Sequence, residues 1–122
     1  MSAYNFQLLF ADPIKAGIKC STIRARRKNG YVPAVGERIR LYAGQRTMRC
    51  ELLREVEVKL VTPILIDEGE NSTALIIINA SVLAPEAALQ IAMRDGFNSL
   101  QSFAEFFKSK RGLPFAGYLI EW

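Results

Sequence analysis

Residues 37–43, ERIRLYA, place Ile39, Leu41 and Ala43 on one side of an extended chain and Arg38, Arg40 and Tyr42 on the other. A period of two marks a β-strand, here with one dry face and one cationic face. Such a strand belongs to a sheet covered on one side only, the usual situation of antiparallel sheets. Residues 20–26 keep the same period, with Cys20, Thr22, Arg24 and Arg26 on one face and Ser21, Ile23 and Ala25 on the other. Thr22 and Arg24 therefore project the same way.

Residues 5–10 read as a short apolar first strand. Asp12 suits the cap of a one-to-two-turn helix, Pro13 its first position and Gly17 a left-handed exit, with Lys19 just beyond. Residues 47–53 and 56–66 are extended, and Pro63 asks for a bend or a sheet edge. The five apolar residues 74–78 are too few for the period to separate strand from helix. A helix is predicted over 85–94, with Ala88, Leu89, Ala92 and Met93 inward and Asp95-Gly96 at its end. Asn98 or Ser99 caps a second helix carrying the apolar stripe Leu100, Phe103, Phe106 and Phe107, and residues 115–122 supply a last strand. Five or six mostly antiparallel strands with two or three flanking helices make an α+β chain, expected as a small β-barrel in one domain.

Half of the 122 residues are apolar, enough for a core without metal or disulfide staples. The longest aliphatic run has five residues against the roughly 20 that span a bilayer, and the first residues lack a signal-peptide pattern, so no membrane partner and a cytoplasmic location are expected. Cys20 and Cys50 form no CxxC motif and are expected to be reduced and half-buried. Histidine is absent. That removes Ser-His-Asp and Cys-His catalysis and the commonest zinc ligand, so any catalysis must run on Lys, Asp/Glu, Thr/Ser, Tyr or a cofactor; no metal and no cofactor are expected.

The net charge of +4 hides a division along the chain. Residues 13–50 hold ten lysines and arginines against one acid, Glu37; the remainder holds six basic and eleven acidic residues. Charge runs are commonly solvated faces, but this concentration in a third of a small chain creates a field that draws phosphates. Arg24, with its planar fork, is the candidate for a phosphate or carbonyl contact. Arg26 and Arg40 are further expected ligand contacts, Arg26 as part of a mobile electrostatic rim with Arg27 and Lys28, and Tyr31 and Tyr42 lie within the basic segment where they could stack on a base.

The stretch Gly17-Ile18-Lys19-Cys20-Ser21-Thr22-Ile23-Arg24 has the form G-x-K-x-x-T-x-R and resembles the signature of the ASCH domain, a small β-barrel family related to the PUA fold of RNA-binding proteins. The Gly36 turn before Ile39-Arg40-Leu41-Tyr42, the Asp95-Gly96-Phe97 sequence and the terminal Leu119-Ile120-Glu121-Trp122 agree with it in order and spacing. The resemblance spans nearly the whole chain and implies a single ASCH-like domain over 1–122, with RNA or a modified nucleotide held between barrel and helices. Some bacterial members resemble amidohydrolases that deacetylate N4-acetylcytidine with a lysine, a threonine and a glutamate, and a ribonuclease activity has been ascribed to others. By motif position the lysine falls on Lys19 and the threonine on Thr22. The acid falls on Asp95, one methylene shorter than the family's glutamate.

The chemistry of this trio can be stated from the residues. A threonine hydroxyl needs a base, and a lysine amine serves only if burial or neighbouring cations bring its pKa towards roughly 7–8. The arginines lower it while a nearby Asp95 raises it, and both directions stay open at this level. Binding of RNA or a nucleotide, hydrolysis of an acylated cytidine and docking of a protein partner are the three functions to separate.

Overall fold

The computed structural model describes residues 2–122. The strands fall into two open sheets. In the first, β1 (Ser2–Phe6) lies parallel to β3 (Arg38–Ala43), which pairs antiparallel with β4 (Glu51–Glu57). The second is antiparallel throughout, in the order β2 (Ser21–Arg24), β8 (Phe115–Glu121), β5 (Leu60–Glu68), β6 (Ala74–Ile78) and β7 (Ser81–Val82). Three α-helices complete the α+β fold: α1 (Ala11–Lys15), α2 (Pro85–Arg94) and α3 (Leu100–Lys110). Among the described residues no helix is long and apolar enough to cross a membrane.

The expected closed barrel is not formed. The sheets join at one corner, where Val58 donates to the Glu37 carbonyl and Lys59 to the Glu121 carbonyl, at 2.8 and 2.9 Å. Closure would need a second ladder, between β1 and β2. Arginine side chains bridge this gap instead: Arg24 donates to the Asn5 carbonyl and Arg27 to the Ala3 carbonyl, each at 2.7 Å. Side chains of that length hold two strand edges farther apart than the roughly 4.8 Å of a backbone ladder, and so leave room for a cavity.

Two apolar cores flank β8. Ile64, Ile66 and Ile76 of the larger sheet pack with Ala88, Ile91 and Ala92 of α2 and with Phe103 and Phe107 of α3. Tyr4, Phe6, Ile39, Leu41, Val56 and Trp122 enclose Ile14 of α1 in the other. Adjacent residues of β8 point to opposite faces, so Leu119 enters the first core and Ile120 the second. Phe103 is fully buried, its ring 5.5 Å from that of Phe97 and 4.9 Å from that of Phe107.

Several local expectations shift. The first strand ends at Phe6, and residues 8–10 form a 3₁₀ turn. Helix α1 starts at Ala11, so Asp12 lies within its first turn and makes no cap. Its charge still complements the helix dipole there. The inner face of α2 is Ala88, Ile91 and Ala92, spaced three and four apart, and Met93 is turned outward. Cys20 is half-buried but Cys50 is exposed, and both are free. Residues 74–78 are a strand. Pro63 sits in the half of β5 that has β8 on one side and no strand on the other, where its missing N–H leaves no ladder bond unmade. Ser99 caps α3 by accepting from Ser102 N–H at 3.1 Å.

Candidate functional site

Three consecutive turns of local structure deliver Lys19. Buried Ile14 anchors α1, Gly17 leaves it at φ +76°, and the N–H groups of Ile18 and Lys19 both donate to the Pro13 carbonyl. The chain is thereby folded back, and the lysine enters the protein with only 6% of its surface exposed. Lys19, Ser21 and Thr22 are the buried polar residues among those described, all within the G-x-K-x-x-T-x-R stretch. Burying a lysine is unfavourable unless something compensates it.

The compensation comes from the end of α2. Gly96 N–H donates to the Met93 carbonyl and Phe97 N–H to the Ala92 carbonyl, a Schellman motif that requires the left-handed φ of +100° at Gly96. A Cβ at Gly96 would lie 2.5 Å from the Phe10 ring, so the glycine also lets the 3₁₀ turn approach. Asp95, the preceding residue, sends its carboxylate to Lys19, with Nζ 3.7 Å from Oδ1. The same ammonium donates to the Arg94 carbonyl at 3.4 Å and stands 4.9 Å from the Phe10 ring centre.

Thr22 and Arg24 do project together. Arg24 Nε donates to Thr22 Oγ1 at 3.0 Å while its Nη2 reaches Asn5 of β1, and its guanidinium lies 4.8 Å from the Phe6 ring centre. All four side chains line one cavity of about 390 Å³ between β1, β2 and the ends of α2 and α3. That volume is in the range of small-ligand sites, roughly 300–1,000 Å³. Phe6, Phe10, Phe97 and Phe106 wall it, so the polar groups face a largely apolar space.

Burial dominates the electrostatics. The Asp95 carboxyl is pushed up to about 6 by burial, against the opposing pull of Lys19 and Arg24. The Lys19 amine is brought below the usual lysine range by burial first, with Asp95 pulling the other way and Arg24 adding to the fall. Both partners thus shift towards their neutral forms, because desolvation acts on each separately and exceeds their mutual attraction. The question left open by the sequence, whether cations or carboxylate would prevail at Lys19, is decided by burial.

Three of the expected contact residues lie elsewhere. Pairing of β2 with β8 stops at Arg24, so the alternation does not continue and Arg26 turns away to the Tyr118 hydroxyl. Arg40, on the exposed face of β3, sits 3.8 Å from Glu55 of the neighbouring strand. Tyr42 shares that face and borders no cavity with Lys19. Tyr31 donates its hydroxyl to Glu37. Conversely, the aromatic walls and Arg111 at the end of α3 also line the cavity. Phe106 belonged to an apolar stripe, and its half-buried place at the stripe's edge is a property of packing that helical spacing does not reveal. Among the described residues no group of three His, Cys, Asp or Glu side chains is placed to hold a metal ion. Compared with known proteins, the chain matches no family model, no curated protein and no solved structure.

Proposed function

We propose that this chain is an ASCH-type, PUA-like module whose cavity takes the base of an RNA nucleotide or of a free modified nucleoside. The observation that carries this reading is the convergence of Lys19, Thr22, Arg24 and Asp95, from segments remote in sequence, on one aromatic-walled cavity. Phenylalanine faces stack on planar bases, and amine, hydroxyl, guanidinium and carboxyl groups match the donors and acceptors of a base edge. The basic segment over 13–50 favours a phosphate-bearing ligand at long range. The test is calorimetric titration with cytidine, N4-acetylcytidine and short single-stranded RNA at several salt concentrations. Saturable binding that disappears in Arg24→Ala supports the reading; absence of binding to all three ligands rejects it.

A second reading, hydrolysis of an acylated cytidine, is favoured by the inward shifts of the Lys19–Asp95 pair. A lysine with lowered pKa can take the proton of the Thr22 hydroxyl as its oxygen adds to the acyl carbon. Arg24, already donating to that hydroxyl oxygen, orients it and eases loss of its proton, while the negative charge of the addition step gathers on the acyl carbonyl oxygen. A carboxyl titrating at about 6 can hold a proton near neutrality and pass it to the departing amine of the base. Water then cleaves the threonyl ester and releases the acid. Cytidine release from N4-acetylcytidine, followed by chromatography, tests this; release that persists in Thr22→Ala removes the assigned nucleophile.

A further inference from the structure

The cavity is lined by three cations, Lys19, Arg24 and Arg111, and by a single carboxylate, Asp95. Lys19 is matched by Asp95. Arg24 spends two donors on neutral acceptors, the Thr22 hydroxyl and the Asn5 carbonyl, which leaves further N–H groups of its five-donor fork. Arg111 is exposed at the C-cap of α3, and among the described residues its guanidinium makes no ion pair and no side-chain hydrogen bond. Neither arginine lies within 4 Å of a carboxylate. They are nonetheless close enough that the Arg111 charge acts against the protonation of Arg24. Affinity for the helix dipole explains a cation near the end of α3, but Lys108 and Lys110 already fill that role on the outside of the helix. Asp95 attracts Arg24 as well as Lys19, but one carboxylate against three cations leaves the cavity with an excess of positive charge, and an anion placed beside the two guanidinium groups offsets their mutual repulsion.

We infer that Arg24 and Arg111 form an anion subsite on the solvent side of the cavity, so that the preferred ligand is a nucleoside carrying a phosphate group. The assignment rests on the nucleoside reading above and narrows it: the base occupies the phenylalanine-walled part, and the phosphate meets the two forks. Phosphate suits this geometry because guanidinium groups bind its oxygens in pairs. Arg111 is then a residue that selects ligands by charge, without a part in the chemistry at Thr22.

The experiment compares N4-acetylcytidine with its 5′-monophosphate, by calorimetry at constant ionic strength, on the wild-type chain, Arg111→Ala and Arg111→Lys. One charge-assisted contact amounts to about tenfold or more in affinity. The monophosphate is expected to bind wild type at least about tenfold tighter than the nucleoside, with most of that preference lost in Arg111→Ala and partly kept in Arg111→Lys. Equal binding of the two ligands by wild type, or a preference undiminished in Arg111→Ala, overturns the subsite. A trinucleotide carrying the same base separates the phosphate sources: an Arg111-dependent preference for it over the monophosphate overturns the assignment to a terminal phosphate. Inorganic phosphate provides an arm that needs no base. If it raises the melting temperature of wild type but not of Arg111→Ala while no nucleoside binds, the subsite stands and the nucleoside reading alone fails. Equal shifts in the two proteins, with nucleoside still bound, overturn the subsite and leave the nucleoside reading intact.

Discussion

Lys19 and Asp95 form the most enclosed ion pair among the described residues, with side chains 6% and 14% exposed and the charged atoms 3.7 Å apart. The other pairs lie between more exposed partners, such as Lys108 with Glu68 at 65% and 53%, and pairs of that kind contribute little to stability. A buried pair is a different object. Its desolvation is unfavourable, so its retention points to the site and away from the fold.

Replacing Lys19 with methionine tests that coupling. The variant keeps the volume and removes the cation that opposes the upward shift of Asp95. The Asp95 carboxyl is expected to titrate above its wild-type value of about 6, read by NMR of the labelled carboxyl carbon. If N4-acetylcytidine is hydrolysed, the same variant is expected to lose about 10²–10⁴-fold in rate. An unmoved Asp95 titration contradicts the pairing.

The stability of the protein should fall as pH rises through the Asp95 titration. Its folded pKa of about 6 exceeds the ordinary 3.8, so between those values the folded state binds more protons than the unfolded state. The contribution is complete below pH 3.8 and is lost as pH passes about 6, to a total of up to about 3 kcal/mol. Urea unfolding at intervals across this window, compared with Asp95→Asn, isolates the effect. The variant should lack this component of the slope, and identical slopes would contradict a raised Asp95.

Gly96→Ala should damage fold and cavity together. The alanine must adopt φ +100° and place its Cβ 2.5 Å from the Phe10 ring, which itself lines the cavity. The backbone cost alone is about 1–2 kcal/mol, measurable by urea unfolding, and displacement of Phe10 should weaken nucleoside binding in parallel. Unaltered stability would mean that Gly96 is not held in the left-handed region.

Arg24→Lys should behave as a loss although the charge is kept. A single ammonium cannot reproduce the fork that joins Thr22 Oγ1 at 3.0 Å to Asn5 O at 2.7 Å. The expected effect is a fall of about 1–3 kcal/mol in stability, with weaker ligand binding, measured by thermal unfolding and calorimetry. Full retention of both would remove Arg24 from the bridge between β1 and β2.

Much of the fold was legible because it is written in local patterns. The period of two across residues 20–24 and 37–43, the Ser99 cap of α3 and the Gly17 and Gly96 exits each depend on neighbours in the chain, and the structure places each of them. The same locality put Thr22 and Arg24 on one face. It misled where an element stopped: Arg26 lies past the end of the β2–β8 ladder, and Arg40 and Tyr42 are on a correctly read strand that belongs to the other sheet.

Read along the chain alone, the residues specify which side chains a site can draw on and the direction in which neighbouring ones point. Folding adds what no local pattern contains: two open sheets where a barrel was expected, six phenylalanines and Arg111 completing the cavity around Lys19, Thr22, Arg24 and Asp95, and a burial that lowers the proton affinity of Lys19. The difference is one of range. Alternation and capping act over a few residues, whereas strand-edge spacing, desolvation and the field at a buried charge are sums over segments that meet only when the chain has folded.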